Sequence, residues 1–225
     1  MSEWWIYSLR DLLLFSPRTY FRLFELHNLE WWPLPLVTLA LGVALLALAW
    51  RGGDRAGRVA LTLLAACWLW VAWAWHVERY APVNWAAGYF AWAWVAQAVL
   101  MLAAAGRGRF DAPPAPRQRR LGVVLIGYAL AVHPLLAPAL GRAWTQAGVF
   151  GMAPDPTVLV TLGTLLAVGP RRAGWLAVIP LAWCAISGAT LWALADPEFW
   201  ALGLAAAFAL AAFLAAGRRR ATQPR

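Results

Sequence analysis

The side chains with the most chemistry gather where apolar runs break. The stretch AWHVERYAPVNWA, residues 74–86, sets His76, Glu78, Arg79, Tyr80 and Asn84 within nine residues. His133 stands alone inside an apolar run, just ahead of Pro134, and Asp155 opens another in GMAPDPTVLV. Glu25 and Arg142 lie in neighbouring breaks. An imidazole changes charge near physiological pH. A carboxylate at the same depth would give it a partner, and such a pair could couple a proton to the movement of a small solute. Other chemistries find less support. His27, His76 and His133 come from three separate segments, and none shares a spacing such as H-x-x-x-H with another, so no metal is assigned. No Gly-rich phosphate loop, nucleophile elbow or carboxylate pair at working spacing occurs. No catalytic residue and no cofactor are therefore expected.

The elements that must hold these groups follow from composition. Of 225 residues, 63% are apolar, against about 45–50% in soluble domains, and the mean hydropathy is +0.61. A soluble fold of this length could not hide so much apolar side chain, so the chain reads as an integral membrane protein. The net charge of +9 comes from nineteen arginines and no lysine. They fall in short breaks between apolar runs rather than along one face, which argues against nucleic acid as a partner. The two cysteines, Cys67 and Cys184, each sit mid-run and make no disulfide framework. The start, MSEWWIYSLRD, lacks the pattern of a cleaved signal peptide.

Seven apolar runs can be marked, at 33–50, 59–75, 83–105, 121–140, 156–168, 173–195 and 199–216. The expected fold is an all-α, seven-helix transmembrane bundle. Fourteen arginines fall in the breaks after the first, third, fifth and seventh runs, and five on the other side. The positive-inside rule then puts the N-terminus outside and the C-terminus inside. Helices starting on the outside carry proline at or near their first turn, at Pro33, Pro82, Pro156 and Pro197. DAPPAPRQRR reads as an extended cytoplasmic loop, and 76–84 as part of a short outer loop. Residues 1–30 read as an amphipathic interfacial segment, 31–217 as the transmembrane domain and 218–225 as a basic cytoplasmic tail. Within the first segment, Ser8-x-x-Asp11 and Ser16-Pro17 look like helix starts. In the second of these helices Tyr20, Phe21 and Phe24 share one side, and Arg18, Arg22 and Glu25 the other. Such a helix would anchor in the interface or close a pocket as a lid.

The motifs YSLRDLLLFSPRTYFRLFE, GMAPDPTVLVTLG and PLAWCAISGATLWAL resemble those of a family of small multi-spanning bacterial inner-membrane proteins of unknown function, sometimes labelled permease. The resemblance implies a multi-pass location in the bacterial inner membrane. It brings no substrate and no catalytic residues.

The fifth run has thirteen residues, about 20 Å of helix against a hydrocarbon core of about 30 Å. GVFGMAPD, residues 148–155, must supply the rest, and its glycines and proline make it a poor helix. It reads as non-helical backbone ahead of a half-helix capped at Asp155, an arrangement tolerated only where protein buries it or it lines a cavity. His133, seven residues before the end of its run, would lie about 10 Å inward, at the same level as Asp155. The seventeen tryptophans divide in the same way. Trp31, Trp32, Trp85, Trp144 and Trp200 suit an outer aromatic belt, while Trp68, Trp92 and Trp94 lie deeper and read as packing or as an aromatic pocket.

The leading reading is a small-solute permease or channel-like protein with its site in the outer half, formed by His133, Asp155, His76, Glu78, Arg79, Asn84, Glu25 and Arg142. A metal-dependent membrane enzyme and a non-catalytic assembly partner are the alternatives. The partners implied are the lipid bilayer and a small solute, and the oligomeric state stays open. The orientation has a direct test. Single cysteines at Gly53 and Ala112 should resist a membrane-impermeant thiol reagent in intact cells, whereas one at Gln146 should react. The reverse pattern would invert the topology.

Overall fold

A computed structural model describes residues 15–108, 110, 114–170 and 173–221, with side chains through residue 217. The helix start expected at Ser8-x-x-Asp11 and the side chains of the basic tail lie outside these residues. The described residues are helical, without strands. The elements are α1 (Pro17–Glu30), α2 (Leu34–Arg51), α3 (Asp54–Tyr80), α4 (Ala87–Arg107), α5 (Pro116–Ala139), α6 (Pro154–Val168), α7 (Ala173–Ala193) and α8 (Glu198–Ala221). Six of them, α2, α3, α4, α5, α7 and α8, are long and apolar enough to cross a membrane, and α6 is apolar but shorter. Their outward faces carry large apolar side chains such as Val43, Val99 and Leu204, as suits a lipid surround. This is the build of a multi-pass membrane protein.

The bundle is organised around α6. Every one of its fifteen residues is buried, and it packs against α2, α3, α5, α7 and α8. Its closest neighbour is α5, because two glycines let the backbones meet. A Cβ on Gly122 would lie 2.3 Å from the Gly163 carbonyl, and one on Gly163 would lie 2.7 Å from that of Gly122. Small residues at a crossing are the usual way helices approach closely without a hydrophobic driving force between them. At the far end from α1, the Arg58 guanidinium donates to the carbonyls of Ala105, Gly106 and Gly108 and pairs with Asp54. It thereby satisfies the carbonyls that the last turn of α4 leaves unpaired.

Three expectations need correction. Residues 76–80 are not loop: α3 continues through them with its last nine residues, Ala72–Tyr80, in a widened π-helical turn. Trp75, His76 and Tyr80 are all buried, and that inward packing keeps the chain helical past the end of its apolar run. DAPPAPRQRR is not extended throughout, since α5 begins at Pro116, where proline suits a first helical position. Trp92 is not a packing residue; it is 75% exposed and faces outward like Trp85. Trp32, Trp144 and Trp200 are also exposed.

The glycine crossing yields a stability test. Gly163→Leu should prevent α5 from seating on α6 and sharply lower the yield of monodisperse protein in detergent. Gly203→Leu, where an added Cβ meets nothing within 4 Å, should leave the yield near wild type. Equal tolerance of both would show that the α5–α6 contact does not limit assembly.

Candidate functional site

The site forms where α6 begins. Residues 147–153 are non-helical and all buried, so their backbone groups need partners inside the protein. Thr157 supplies two: its Oγ1 accepts the Gly151 N–H at 2.9 Å and donates to the Ala153 carbonyl at 2.7 Å. Gly151 has φ +73°, and an added Cβ would stand 2.9 Å from the Thr38 side chain, so glycine is required twice over. Ala153 occupies the cap and Pro154 the first turn. Asp155 therefore does not cap the helix, contrary to expectation. Its carboxylate turns to α7, where Oδ1 accepts from Trp183 Nε1 and Oδ2 from Ser187 Oγ, both at 2.8 Å. Trp183 and Ser187 are four apart on α7, which puts both donors on one helix face.

His133 reaches the same place from α5. That helix loosens to a π-helical turn at Tyr128–Val132 and then to a 3-10 turn at His133–Leu135, where Pro134 cannot donate. His133 is 2% exposed. Its Nδ1 lies 3.3 Å from the Gly148 carbonyl, an acceptor, so Nδ1 carries the proton of that contact. Nε2 has no hydrogen-bond partner and stands 3.7 Å from Glu198 Oε1. With Nδ1 protonated, a neutral ring would turn a lone pair toward a carboxylate. One proton between them converts that repulsion into a charge-assisted contact.

The remaining oxygens of the cluster belong to Arg142. Its guanidinium pairs with Glu198 Oε2 and, at 2.7 Å, with Asp196 Oδ2. Asp196 Oδ1 meanwhile accepts the Glu198 N–H at 2.9 Å, capping α8. Arg142 thus serves Asp196 and Glu198, His133 faces Glu198, and Asp155 is held by Trp183 and Ser187.

Helix α1 roofs this cluster. Ser16 caps it, accepting the Thr19 N–H at 3.2 Å. Tyr20, Phe21, Leu23, Phe24 and His27 are buried, while Arg18 and Arg22 are exposed. Arg142 stacks on the Phe21 ring at 3.7 Å, and Phe24 packs on Trp75 at 4.3 Å. Asn28 Nδ2 donates to the carbonyls of Thr145 and Ala147. Tyr20, Phe21 and Phe24 line a cavity together with His133, Asp155 and Glu198. Its volume is about 10 Å³, near the minimum for one water molecule. Burial, with the nearby Asp155 adding to it, holds the Tyr20 hydroxyl well above its usual range, so it remains a donor.

The structure thus brings His133, Asp155 and Arg142 together and distributes the other expected residues around them. Glu25 belongs to the roof, where it pairs with Arg22 and accepts from Gln146 Nε2 at 3.1 Å. These contacts hold its carboxyl below the usual range. Arg79 pairs with Glu30 of α1. Asn84 Oδ1 accepts the Ala86 N–H at 3.0 Å and shapes the turn before α4. Glu78 is exposed and faces away, because the continuing helix turns it outward. His76 does not line the cavity; it lies behind Trp183, ring centroids 4.9 Å apart. Among the described residues, no three His, Cys, Asp or Glu side chains converge on a point where a metal ion could bind.

Sequence reasoning missed Asp196, Glu198, Trp183, Ser187 and Tyr20. Glu198 had a local signal, since Asp196-Pro197-Glu198 opens α8 at the level where α6 begins. Trp183 and Ser187 had only their four-residue spacing.

The fold and this cluster define a multi-pass α-helical membrane protein with a buried ionic site. The chain belongs to a family of unknown function (DUF6064), whose model matches residues 18–223. No curated protein and no solved structure matches it.

The roof carries a pH test. Burial, with Arg79 adding repulsion, pushes the His27 imidazole down to about 4, whereas a released α1 would titrate near ~6.5. Docking is therefore unpenalised above ~6.5 and weakens as pH falls toward 4, by roughly 3 kcal/mol in all at ~1.4 kcal/mol per pH unit. Amide hydrogen exchange in Pro17–Glu30, corrected for intrinsic rates, should accelerate between pH 6.5 and 5, before the carboxylates titrate. His27→Phe should flatten that rise. A roof equally protected at both pH values would show that His27 does not govern docking.

Proposed function

We propose that this protein is a proton-coupled permease for a small solute in the bacterial inner membrane. It would have seven spanning helices, its N-terminus outside and its site in the outer half beneath α1. One observation carries this reading: two buried carboxylates, Asp155 and Glu198, lie with half-buried Asp196 around a single arginine that pairs with only two of the three, beside a histidine whose Nδ1 proton is already committed. With His133 neutral the cluster holds a net negative charge out of water, which is costly unless a cation or proton joins it. The position between His133 Nε2 and Glu198 Oε1 is where a proton relieves that charge. The cavity takes only a proton or one water in this closed arrangement, so a solute enters when α1 lifts. The inward-dipping backbone at 147–153, followed by a short buried helix, is the setting in which transporters build such sites. A metal-dependent enzyme is disfavoured because the three histidines do not converge.

Charge movement tests the reading. Wild-type protein on a supported membrane should give a transient charge displacement after a pH jump from 8 to 6. His133→Gln and Glu198→Gln should each reduce it at least tenfold while keeping normal gel-filtration behaviour. Unchanged transients in both variants would remove the proton from this site.

A further inference from the structure

Buried polar groups do not stop at Asp155. His76 has no exposed surface, and neither ring nitrogen has a hydrogen-bond partner. Rings of Trp183, Trp94 and Phe90 surround it, at 4.9, 5.0 and 6.1 Å between centroids. Such faces accept an N–H, but a full charge on this ring would have no hydrogen-bond partner to hold it. Trp183 is shared: its ring touches His76 while its N–H holds Asp155. Beyond His76, Trp94 Nε1, Gln97 Oε1 and Thr164 Oγ1 are also buried without partners. Gln97 lies about 15 Å along α4 from its α1 end, and its Nε2 donates to the Leu176 carbonyl at 2.9 Å. Thr164 continues a line on α6 with Thr157 and Thr161, at i, i+4 and i+7, about 13 Å past Asp155. The next residue, Leu165, lines a second cavity of about 90 Å³ with Gln118, Gly169 and Phe213. That cavity lies at the opposite end of α6.

A dry core buries almost no polar atom without a partner. Here such atoms occur on α3, α4 and α6, at levels between the charged cavity at one end of α6 and the second cavity at the other. We infer that His76, Gln97 and Thr164 mark a proton path along α6, from the Asp155 site to the far cavity. This rests on the proton-binding reading of the site given above. His76 receives the proton once the Trp183 side chain moves from between it and Asp155. The proton then passes by water entering transiently beside the Gln97 and Thr164 oxygens. Each transfer moves one proton from donor to acceptor, and the path resets when the far cavity releases it.

The test uses full-length protein in liposomes that enclose a pH dye, with a potassium gradient and valinomycin supplying an inward-driving potential. Wild-type vesicles should acidify at least tenfold faster than empty ones. His76→Phe, Gln97→Leu and Thr164→Val should each cut that rate at least fivefold. In parallel, ¹⁵N imidazole spectra of a chain with only three histidines report the pH response of His133, which Gln97→Leu and Thr164→Val should preserve. If His76→Phe fails to fold, the other two variants decide. Wild-type flux in Gln97→Leu and Thr164→Val overturns the path. Vesicles that acidify no faster than empty ones while His133 still titrates also overturn it and leave the site standing. A His133 signal unresponsive from pH 4 to 9 removes the site and the path together.

Discussion

Helix α6 is buried on every side and has only fifteen residues, about 22 Å of rise. Much of the rest follows from that. A helix shorter than the bundle around it must be reached by non-helical chain, and that chain must find hydrogen-bond partners inside protein. Residues 147–153 find them in Thr157 and in the positive-φ turn at Gly151. A helix enclosed on all sides must also let at least one neighbour come close, which the Gly122–Gly163 crossing does. The ends of so short a helix lie inside the bundle, and a cavity lies at each of them.

The first of those ends is where the acids collect. The N-terminal turn of a helix favours negative charge, and Asp155 takes that position. It is joined there by Glu198 from the first turn of α8. Two carboxylates near one helix start would repel in a low-dielectric setting. Arg142 divides the load: it takes Glu198 and Asp196 and leaves Asp155 to the neutral donors Trp183 and Ser187. The Glu198 oxygen facing His133 is the one that Arg142 does not hold. Any proton the proposed function requires would sit between that oxygen and His133 Nε2, given the tautomer that Gly148 favours on His133.

The sequence makes the fold class legible because apolar runs, prolines and arginines report the membrane directly. It also shows the weakness of α6, since thirteen apolar residues are too few to span, and helical rise leads to the expectation that His133 and Asp155 share a level. What it hides is direction around a helix axis where no amphipathic contrast exists. Every face of α6 is apolar or threonine, so nothing in PDPTVLVTLGTLLAV says which side Asp155 turns to. The π-helical turn at Ala72–Tyr80 is hidden for another reason. HVERY is polar enough to look like loop, and its contacts with α4, α1 and Trp183 keep it helical. The partnership of Glu198 with Arg142 crosses 56 residues and has no local signature.

Roof and site are mechanically one unit through Arg142. Its guanidinium lies on the Phe21 ring of α1 and binds Glu198 beneath. While α1 is down, Phe21 shields the guanidinium from water, and a shielded ion pair is strong because the local dielectric is low. Lifting α1 would hydrate Arg142, weaken its hold on both acids and let water reach Glu198. Losing the guanidinium would raise the proton affinity of the Glu198 carboxylate, and hydration would lower it. Protonating His133 with the roof closed would neutralise part of the buried charge and favour the closed arrangement. On the proposed function, access and protonation would thus be linked through one side chain. That reciprocity is what coupling between two events requires, because a proton can bias the roof only by the amount that the roof biases the proton.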